Sequence, residues 1–227
     1  GHDSALHRKL VDRSGERLEY GRRLSAESRL RNLDFVEGDL SHSPPDGGPY
    51  DLVWCRFVFE YLKDPDVAME HLVRATRIGR TVGVGDLDGN GTFHHPCPPE
   101  VEAGLNQVLS ALEGRFDPYA GRKLYVRFKK RRLTNVRVHA EPYHLYAGAA
   151  APSAIANWEQ KLKTVRPSGV EALGGEAAYD DWAARFLSRL RDPDTFTYST
   201  LILVSGERDA RPQVGVSLID HEKGRGP

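Results

Sequence analysis

The sequence is poor in cysteine and methionine, and neither sign of charge is in excess. Its 227 residues include only two cysteines, Cys55 and Cys97, and one methionine, Met69. So few cysteines imply no disulfide framework, and they favour a reducing, cytoplasmic location. Lys and Arg together number 32, as do Asp and Glu, so the formal net charge is zero. No global field therefore attracts nucleic acid or an anionic membrane.

Long apolar runs are also lacking. None approaches the roughly 20 residues that a membrane-spanning helix needs, and no signal-peptide pattern opens the chain. We therefore expect a soluble protein with no membrane partner. The length suits a single domain, which we place at residues 1–208, followed by a polar tail at 209–227 that we expect to be disordered.

Strands and helices alternate in the first half of the chain. LDFVEGDL (33–40), YDLVWC (50–55) and TVGVGD (81–86) are apolar, and Asp64-Pro65 is a strong helix-start signal before the third of them. This alternation predicts parallel strands joined by helical crossovers. In such sheets ligands bind beyond the carboxyl ends of the strands, which is where the acidic residues of these segments fall.

The second half mixes the same elements with longer helical stretches. We predict helices from Glu100 and over 121–132, two amphipathic helices within 147–194, and late strands near 135–146 and 196–204. DGNGTFHHPCPPE (88–100) is rich in turn residues, and we expect it to be irregular. The core then comprises residues 1–90, 122–146 and 195–208, and the insertions at 91–121 and 147–194 form a helical cap.

Four segments in this order resemble class I S-adenosylmethionine-dependent methyltransferases. They are VDRSGERLEYGRRL, LDFVEGDL, YDLVWCRFVFEYLKDP and TVGVGDLDGN, and their order and spacing are more specific than any one of them. The resemblance implies a Rossmann-like α/β/α sandwich with a mostly parallel sheet and an antiparallel C-terminal edge. It also implies S-adenosyl-L-methionine as the cofactor and methyl transfer to a small, partly apolar acceptor.

The resemblance also implies which residues bind the cofactor. Asp12 would accept hydrogen bonds from the ribose hydroxyls, a role that strand-end acids play in dinucleotide folds. Asp39, preceded by Gly38, would accept from the adenine amine, and the Leu40 amide would meet a ring nitrogen. The methionine moiety would lie along Cys55, Arg56 and Phe57. The alternatives are ordinary turn acids at 12 and 39, a small core residue at 55 and an exposed cation at 56.

A general base is needed only if the acceptor carries a proton. His94 and His95 follow the third apolar strand, where substrates enter in this family, and Tyr61 and His144 are further candidates. We predict no metal site, because two adjacent histidines with Cys97 lack a second pair of ligands. The basic segment 122–132 contains Leu124 and Phe128, which favours a solvated helix face over a nucleic-acid site.

The Gly-rich turn that is most diagnostic of this family is not found. It should precede the ribose acid by about 20 residues, but only 11 residues precede Asp12, with a single glycine. We therefore expect an N-terminally truncated sequence. Two alternatives stay open: a noncatalytic, methyltransferase-like binding or scaffold protein, and a nicotinamide-dependent oxidoreductase, because an acid at position 12 would also suit the ribose of that cofactor.

Overall fold

The structure is a computed structural model that describes residues 7–210. Its strands are β1 (Arg8–Asp12), β2 (Leu33–Glu37), β3 (Tyr50–Arg56), β4 (Thr76–His95), β5 (Thr134–Pro142), β6 (Tyr146–Ala147) and β7 (Phe196–Glu207). Its helices are α1 (Gly15–Glu27), α2 (Pro65–Ala75), α3 (Pro99–Ala111), α4 (Ala120–Lys130), α5 (Pro152–Leu173) and α6 (Glu176–Arg191), with a 3-10 turn at Phe59–Tyr61. Apart from residues 209 and 210, the predicted tail lies outside the described residues.

The predicted alternation of strands and helices is confirmed, and it produces two groups of strands. β1 and β2 pair in parallel, with Arg8 opposite Leu33 and Asp12 opposite Glu37. The other group has the order β3-β4-β7-β5, in which β3 and β4 are parallel and β7 is antiparallel to β4, β5 and β6. The α/β class and the antiparallel C-terminal edge therefore agree with the sequence analysis.

The described strands do not form one continuous sheet. No strand between residues 7 and 210 pairs with the free edge of β1 or of β3, so the sheet is divided at this point. The apolar side chains Leu10 and Leu52 beside these edges are 42% and 61% exposed. Lys9 of β1 bridges the division, where its Nζ donates to the Asp46 carbonyl at 2.8 Å.

The capping signals located the helix starts correctly. The Ser14 hydroxyl accepts the Arg17 amide at the start of α1, and the Asp64 carboxylate accepts the amides of Asp66 and Val67 at the start of α2. These bonds satisfy amides that have no partner within the helix. α2 ends at Ala75, and β4 begins at the next residue, Thr76.

β4 is longer than the sequence indicated. The prediction of an irregular segment from residue 88 is wrong up to His95, since β4 continues to that residue and Phe93 pairs with Tyr198 of β7. The glycine-rich stretch is instead a register shift between Asp88 and Phe93, with positive φ at Gly89 and Gly91. A bulge accommodates such residues without ending the strand.

Two apolar clusters form the interior. The first lies between β3, β4, β7 and the helices α2 and α4, and its fully buried side chains include Met69, Val84, Leu124, Phe128 and Val204. The second unites α3, α5 and α6, and it includes Val101, Leu105, Trp158, Trp182 and Phe186. The side chains of α3 thus pack on those of α5 and α6, which makes a helical layer separate from the sheet core.

The basic helix α4 packs on the sheet through the predicted apolar stripe. Leu124 and Phe128 are both fully buried. On the other face Arg127 forms an ion pair with Asp66 at 2.5 Å, and Lys123 pairs with Asp117 at 2.6 Å. Much of the basic charge on this helix therefore has an acidic partner within the protein.

Candidate active site

A cavity of about 820 Å³ connects the strand ends with the helical layer. Its size lies within the range of ligand pockets, roughly 300–1,000 Å³. All of the predicted cofactor residues except Arg56 line this cavity at the strand ends. They are Asp12, Gly38, Asp39, Leu40, Cys55 and Phe57. The helices contribute a mainly apolar wall that includes Leu105, Val108, Trp158, Leu162 and Trp182. One cavity thus joins the predicted cofactor residues to an apolar compartment.

Asp12 and Gly38 are held together at the ends of β1 and β2. The Asp12 Oδ1 accepts the Ser14 amide at 2.8 Å, and the Arg17 guanidinium lies 3.7 Å from Oδ2. The Gly38 amide donates to the Asp12 carbonyl at 3.1 Å. A Cβ at position 38 would lie 2.9 Å from the Val11 side chain, so this close approach of the two strands requires glycine.

Asp39 begins the turn after β2. Its Oδ1 accepts the Ser41 amide at 2.8 Å, and His42 lies 3.3 Å from Oδ2. The backbone hydrogen bond from Ser41 is the main cause that lowers the pKa of Asp39, so the side chain is a carboxylate near neutral pH. The next residue, Leu40, is anchored where its carbonyl meets His71 Nδ1 at 2.8 Å. Asp39 therefore presents a fixed acceptor to the cavity.

The three predicted residues after β3 occupy different environments. Cys55 is 8% exposed, and burial together with the charge of Asp86 raises its pKa to about 12, so the thiol is not a nucleophile. Arg56 does not line the cavity, and its guanidinium lies 4.3 Å from the centre of the Phe57 ring. Phe57 lines the cavity with a left-handed backbone, at φ 56°.

The predicted bases do not converge on one point. Tyr61 lines the cavity, and burial followed by the nearby Glu60 raises the pKa of its hydroxyl. His94 and His95 are not among the residues that line it. The His94 ring bonds Gly91 through Nε2, and its Nδ1 lies 2.5 Å from the Arg189 guanidinium. Burial and Arg189 lower the pKa of His94 to about 4. These contacts indicate a structural role for His94. They do not favour it as a general base, because both ring nitrogens already have partners within the protein.

Asp86 and Asp88 lie within β4 and accept hydrogen bonds from neighbouring segments. Asp86 is fully buried and accepts the amides of Glu60 at 3.2 Å and Leu87 at 2.9 Å. Burial and the charge of Glu60 raise the pKa of Asp86 to about 7. Asp88 pairs in a bidentate manner with Arg122, at 2.6 and 2.9 Å. Neither acid lines the cavity.

Sequence reasoning missed a hydrogen-bonded chain at the boundary of core and helices. The Asn90 amide donates to the buried Glu60 carboxylate at 3.0 Å, and Lys161 Nζ reaches the Asn90 oxygen at 3.4 Å. Lys161 also lies 3.3 Å from His144 Nε2, whose pKa burial lowers to about 3. Lys161 and Asn90 both line the cavity. The sequence did contain one indication of Lys161, because this lysine follows Trp158 by three residues and so lies next to the buried stripe of α5.

Fold and strand-end acids together define a Rossmann-like α/β protein with a cavity of the kind that holds a nucleotide-like cofactor. A family model described as "Methyltransferase domain" matches residues 4–79. None of the curated proteins matches the chain. This match agrees with the resemblance to class I S-adenosylmethionine-dependent methyltransferases that the sequence analysis drew.

Three solved structures illustrate the shared fold. The YcgJ protein from Bacillus subtilis is 15% identical, with a TM-score of 0.54 over 90% of this chain and 83% of the other. The MccD protein is 11% identical, with a TM-score of 0.52 over 90% and 80%. Phosphoethanolamine N-methyltransferase 2 from Haemonchus contortus, solved with phosphomonomethylethanolamine and S-adenosylhomocysteine, is 14% identical, with a TM-score of 0.50 over 90% and 44%. At these identities the likeness establishes the fold alone.

Across residues 7–210, no group of three or more His, Cys, Asp or Glu side chains is arranged to hold a metal ion. Over the same range, no helix combines the length and apolar character needed to cross a bilayer.

Proposed function

We propose that the protein transfers a methyl group from S-adenosyl-L-methionine to a small, partly apolar acceptor. The observation that carries this proposal is the single cavity that contains Asp12, Gly38 and Asp39 at one end and Trp158 and Trp182 at the other. A cofactor and an acceptor need adjoining sites, and this cavity offers a polar and an apolar compartment in contact.

The carboxylates at the strand ends suit the adenosine part of the cofactor. Asp12 and Asp39 supply carboxylate acceptors for ribose hydroxyls and for the adenine amine, and the close packing at Gly38 leaves room for no side chain there. The resemblance assigns the methionine part to Cys55, Arg56 and Phe57. The Arg56 guanidinium stacks on the Phe57 ring and does not line the cavity, so Cys55 and Phe57, which do line it, are better supported than Arg56.

When bound, the cofactor supplies an electrophilic methyl group on a sulfonium, which an acceptor can displace in line. The residues of this chain have to hold the two reactants in line and exclude water, and no covalent nucleophile is required. The apolar wall of α3, α5 and α6 serves both purposes. An acceptor proton would need a base, and the tyrosine at position 61 keeps its own proton near neutral pH because its pKa is raised.

The test is calorimetry of the full-length protein with S-adenosylhomocysteine and, separately, with NADH. We expect binding of S-adenosylhomocysteine, weakened about tenfold or more by Asp39→Ala, because loss of one charge-assisted hydrogen bond costs roughly 1.5–3 kcal/mol. Asp34→Asn is the matched control, since Asp34 pairs with His7 at the surface and does not line the cavity.

Each alternative function has its own outcome in this experiment. Binding of NADH without S-adenosylhomocysteine would overturn the proposal in favour of an oxidoreductase. Failure to bind either cofactor would favour the noncatalytic scaffold. Binding of S-adenosylhomocysteine that Asp39→Ala leaves unchanged would refute the assigned role of Asp39 while retaining the cofactor.

A further inference from the structure

Lys161 is partly buried at the cavity, and no carboxylate of the described residues contacts its ammonium group directly. Within residues 7–210, no Asp or Glu oxygen is recorded within 4.0 Å of its Nζ. Its recorded neighbours are the Asn90 oxygen at 3.4 Å, His144 Nε2 at 3.3 Å and the Trp158 ring, whose centre is 4.3 Å away. A buried cation normally has an acidic partner.

The neighbours of Lys161 hold its ammonium group in a fixed place. His144 Nδ1 lies 2.7 Å from the Ser199 hydroxyl, and an Nδ1–H that donates to this oxygen leaves Nε2 as an acceptor toward Lys161. The Asn90 oxygen is a second acceptor, and the tryptophan ring offers its electron-rich face. All three contacts suit a charged donor, yet none of them neutralises it.

An ammonium has three N–H donors, and the two protein acceptors account for two of them. Burial lowers the pKa of Lys161, which means that removing this charge from water has a cost, and the charge of Glu60, which lies beyond Asn90, offsets this effect only in part. An anion in direct contact with the ammonium would offset more of that cost and occupy the remaining donor. A cationic acceptor, in contrast, would meet a like charge.

Resting on the proposed function, we infer that Lys161 binds the acceptor, and that the acceptor is a small, largely apolar molecule carrying one anionic oxygen group. The apolar body would contact Leu105, Val108 and Trp182, which line the same cavity. The anionic group would lie beside the ammonium at the boundary of α5 and the β4 bulge. Lys161 would thus select the acceptor by charge and fix its orientation.

The test compares two probes of nearly the same shape, the anionic 3-phenylpropionate and the neutral 3-phenylpropionamide. Their dissociation constants are measured by ligand-observed NMR on the full-length protein with S-adenosylhomocysteine present. We expect the carboxylate to bind about tenfold more tightly, equal to roughly 1.4 kcal/mol. Lys161→Met should abolish the preference, and Lys161→Arg should retain most of it.

One further variant serves as the control. Lys163→Met removes an exposed lysine from the same helix and should leave the preference unchanged. Loss of the preference in Lys161→Met but not in Lys163→Met would support recognition by charge.

The inference is overturned if the two probes bind equally to the unmodified protein, if neither binds at millimolar concentration, or if Lys161→Met retains the preference. S-adenosylhomocysteine is titrated first in every variant. If the unmodified protein binds S-adenosylhomocysteine but shows no charge preference, the proposed function stands and the role of Lys161 is refuted. If the unmodified protein does not bind S-adenosylhomocysteine, the proposed function itself is refuted.

Discussion

At the scale of single residues, His94 links protonation to stability. Its Nδ1 lies 2.5 Å from the Arg189 guanidinium and 2.9 Å from the Thr197 hydroxyl, so it acts as an acceptor that a proton would remove. The folded-state pKa is lowered from 6.5 to about 4. The unfolded chain therefore takes up a proton first as the pH falls, and stability is lost from about pH 6.5 down to about pH 4.

We expect His94→Gln to reduce this acid-side loss by about 1–3 kcal/mol. The check is the free energy of unfolding in urea, measured at several pH values between 4 and 7. Asp86 and Glu60 have raised pKa values, which makes stability fall as the pH rises over part of the same range. This opposite slope is common to the unmodified protein and the His94→Gln variant, so the difference between their free energies of unfolding reports on His94.

The control for this measurement is His139→Gln, which changes an exposed histidine on β5. It should leave the slope of stability against pH unchanged. A His94→Gln variant whose pH dependence matches that of the unmodified protein would show that the histidine does not have the buried, neutral environment described above.

The site residues show which chemistry sequence reading can find. Asp12 and Asp39 were predicted because an acid at a strand end is defined by its neighbours in the chain, and both line the cavity. Lys161 was not predicted, because its environment depends on Asn90 and His144, which are 71 and 17 residues away. Local patterns carry no information about such contacts, which arise only when the folded chain brings Lys161 of α5 to Asn90 and His144.

At the scale of whole elements, the close packing of α4 on β4 depends on one glycine. A Cβ at Gly121 would lie 2.8 Å from the Asp86 carbonyl oxygen and 3.0 Å from that of Leu87. Alanine in a helix is ordinarily favoured over glycine by about 0.5–1 kcal/mol. Here the clash is with backbone atoms that cannot rotate away, so the steric cost decides the sign.

We therefore expect Gly121→Ala to destabilise the protein by about 1–3 kcal/mol. Thermal and urea unfolding provide the measurement. Lys129→Ala, an exposed change on the same helix, should stay within about 0.5 kcal/mol of the unmodified protein. A stabilised Gly121→Ala would show that α4 can move away from β4.

β4 shows where sequence-based prediction fails for an element. The glycines and asparagine of residues 89–91 predicted a turn, and their positive φ values at Gly89 and Gly91 agree with that local tendency. Pairing with β7 nevertheless continues on both sides of the register shift, at Asp88 with Thr200 and at Phe93 with Tyr198. The partner strand, over 100 residues away, decides the outcome, and a single sequence does not reveal it.

At the scale of the whole molecule, the two apolar clusters are joined by continuous strands. β4 and β7 pair from Thr81 with Glu207 to His95 with Phe196, so the same ladder borders the sheet core and the helical layer. The contacts between Arg189, His94 and Thr197 connect α6 to both strands. Separate unfolding of the helical layer would expose the end of this ladder and leave the Arg189 guanidinium without its acceptors.

We therefore expect the two layers to unfold in one cooperative transition. In a Trp54→Phe variant the remaining tryptophans, Trp158 and Trp182, both belong to the helical layer, so fluorescence reports on that layer alone. Far-UV circular dichroism reports on the whole chain. The two probes should give the same urea midpoint, as a two-state transition requires. A fluorescence midpoint at lower urea would mean that the helical layer unfolds first, and the β4–β7 ladder would then not couple it to the core.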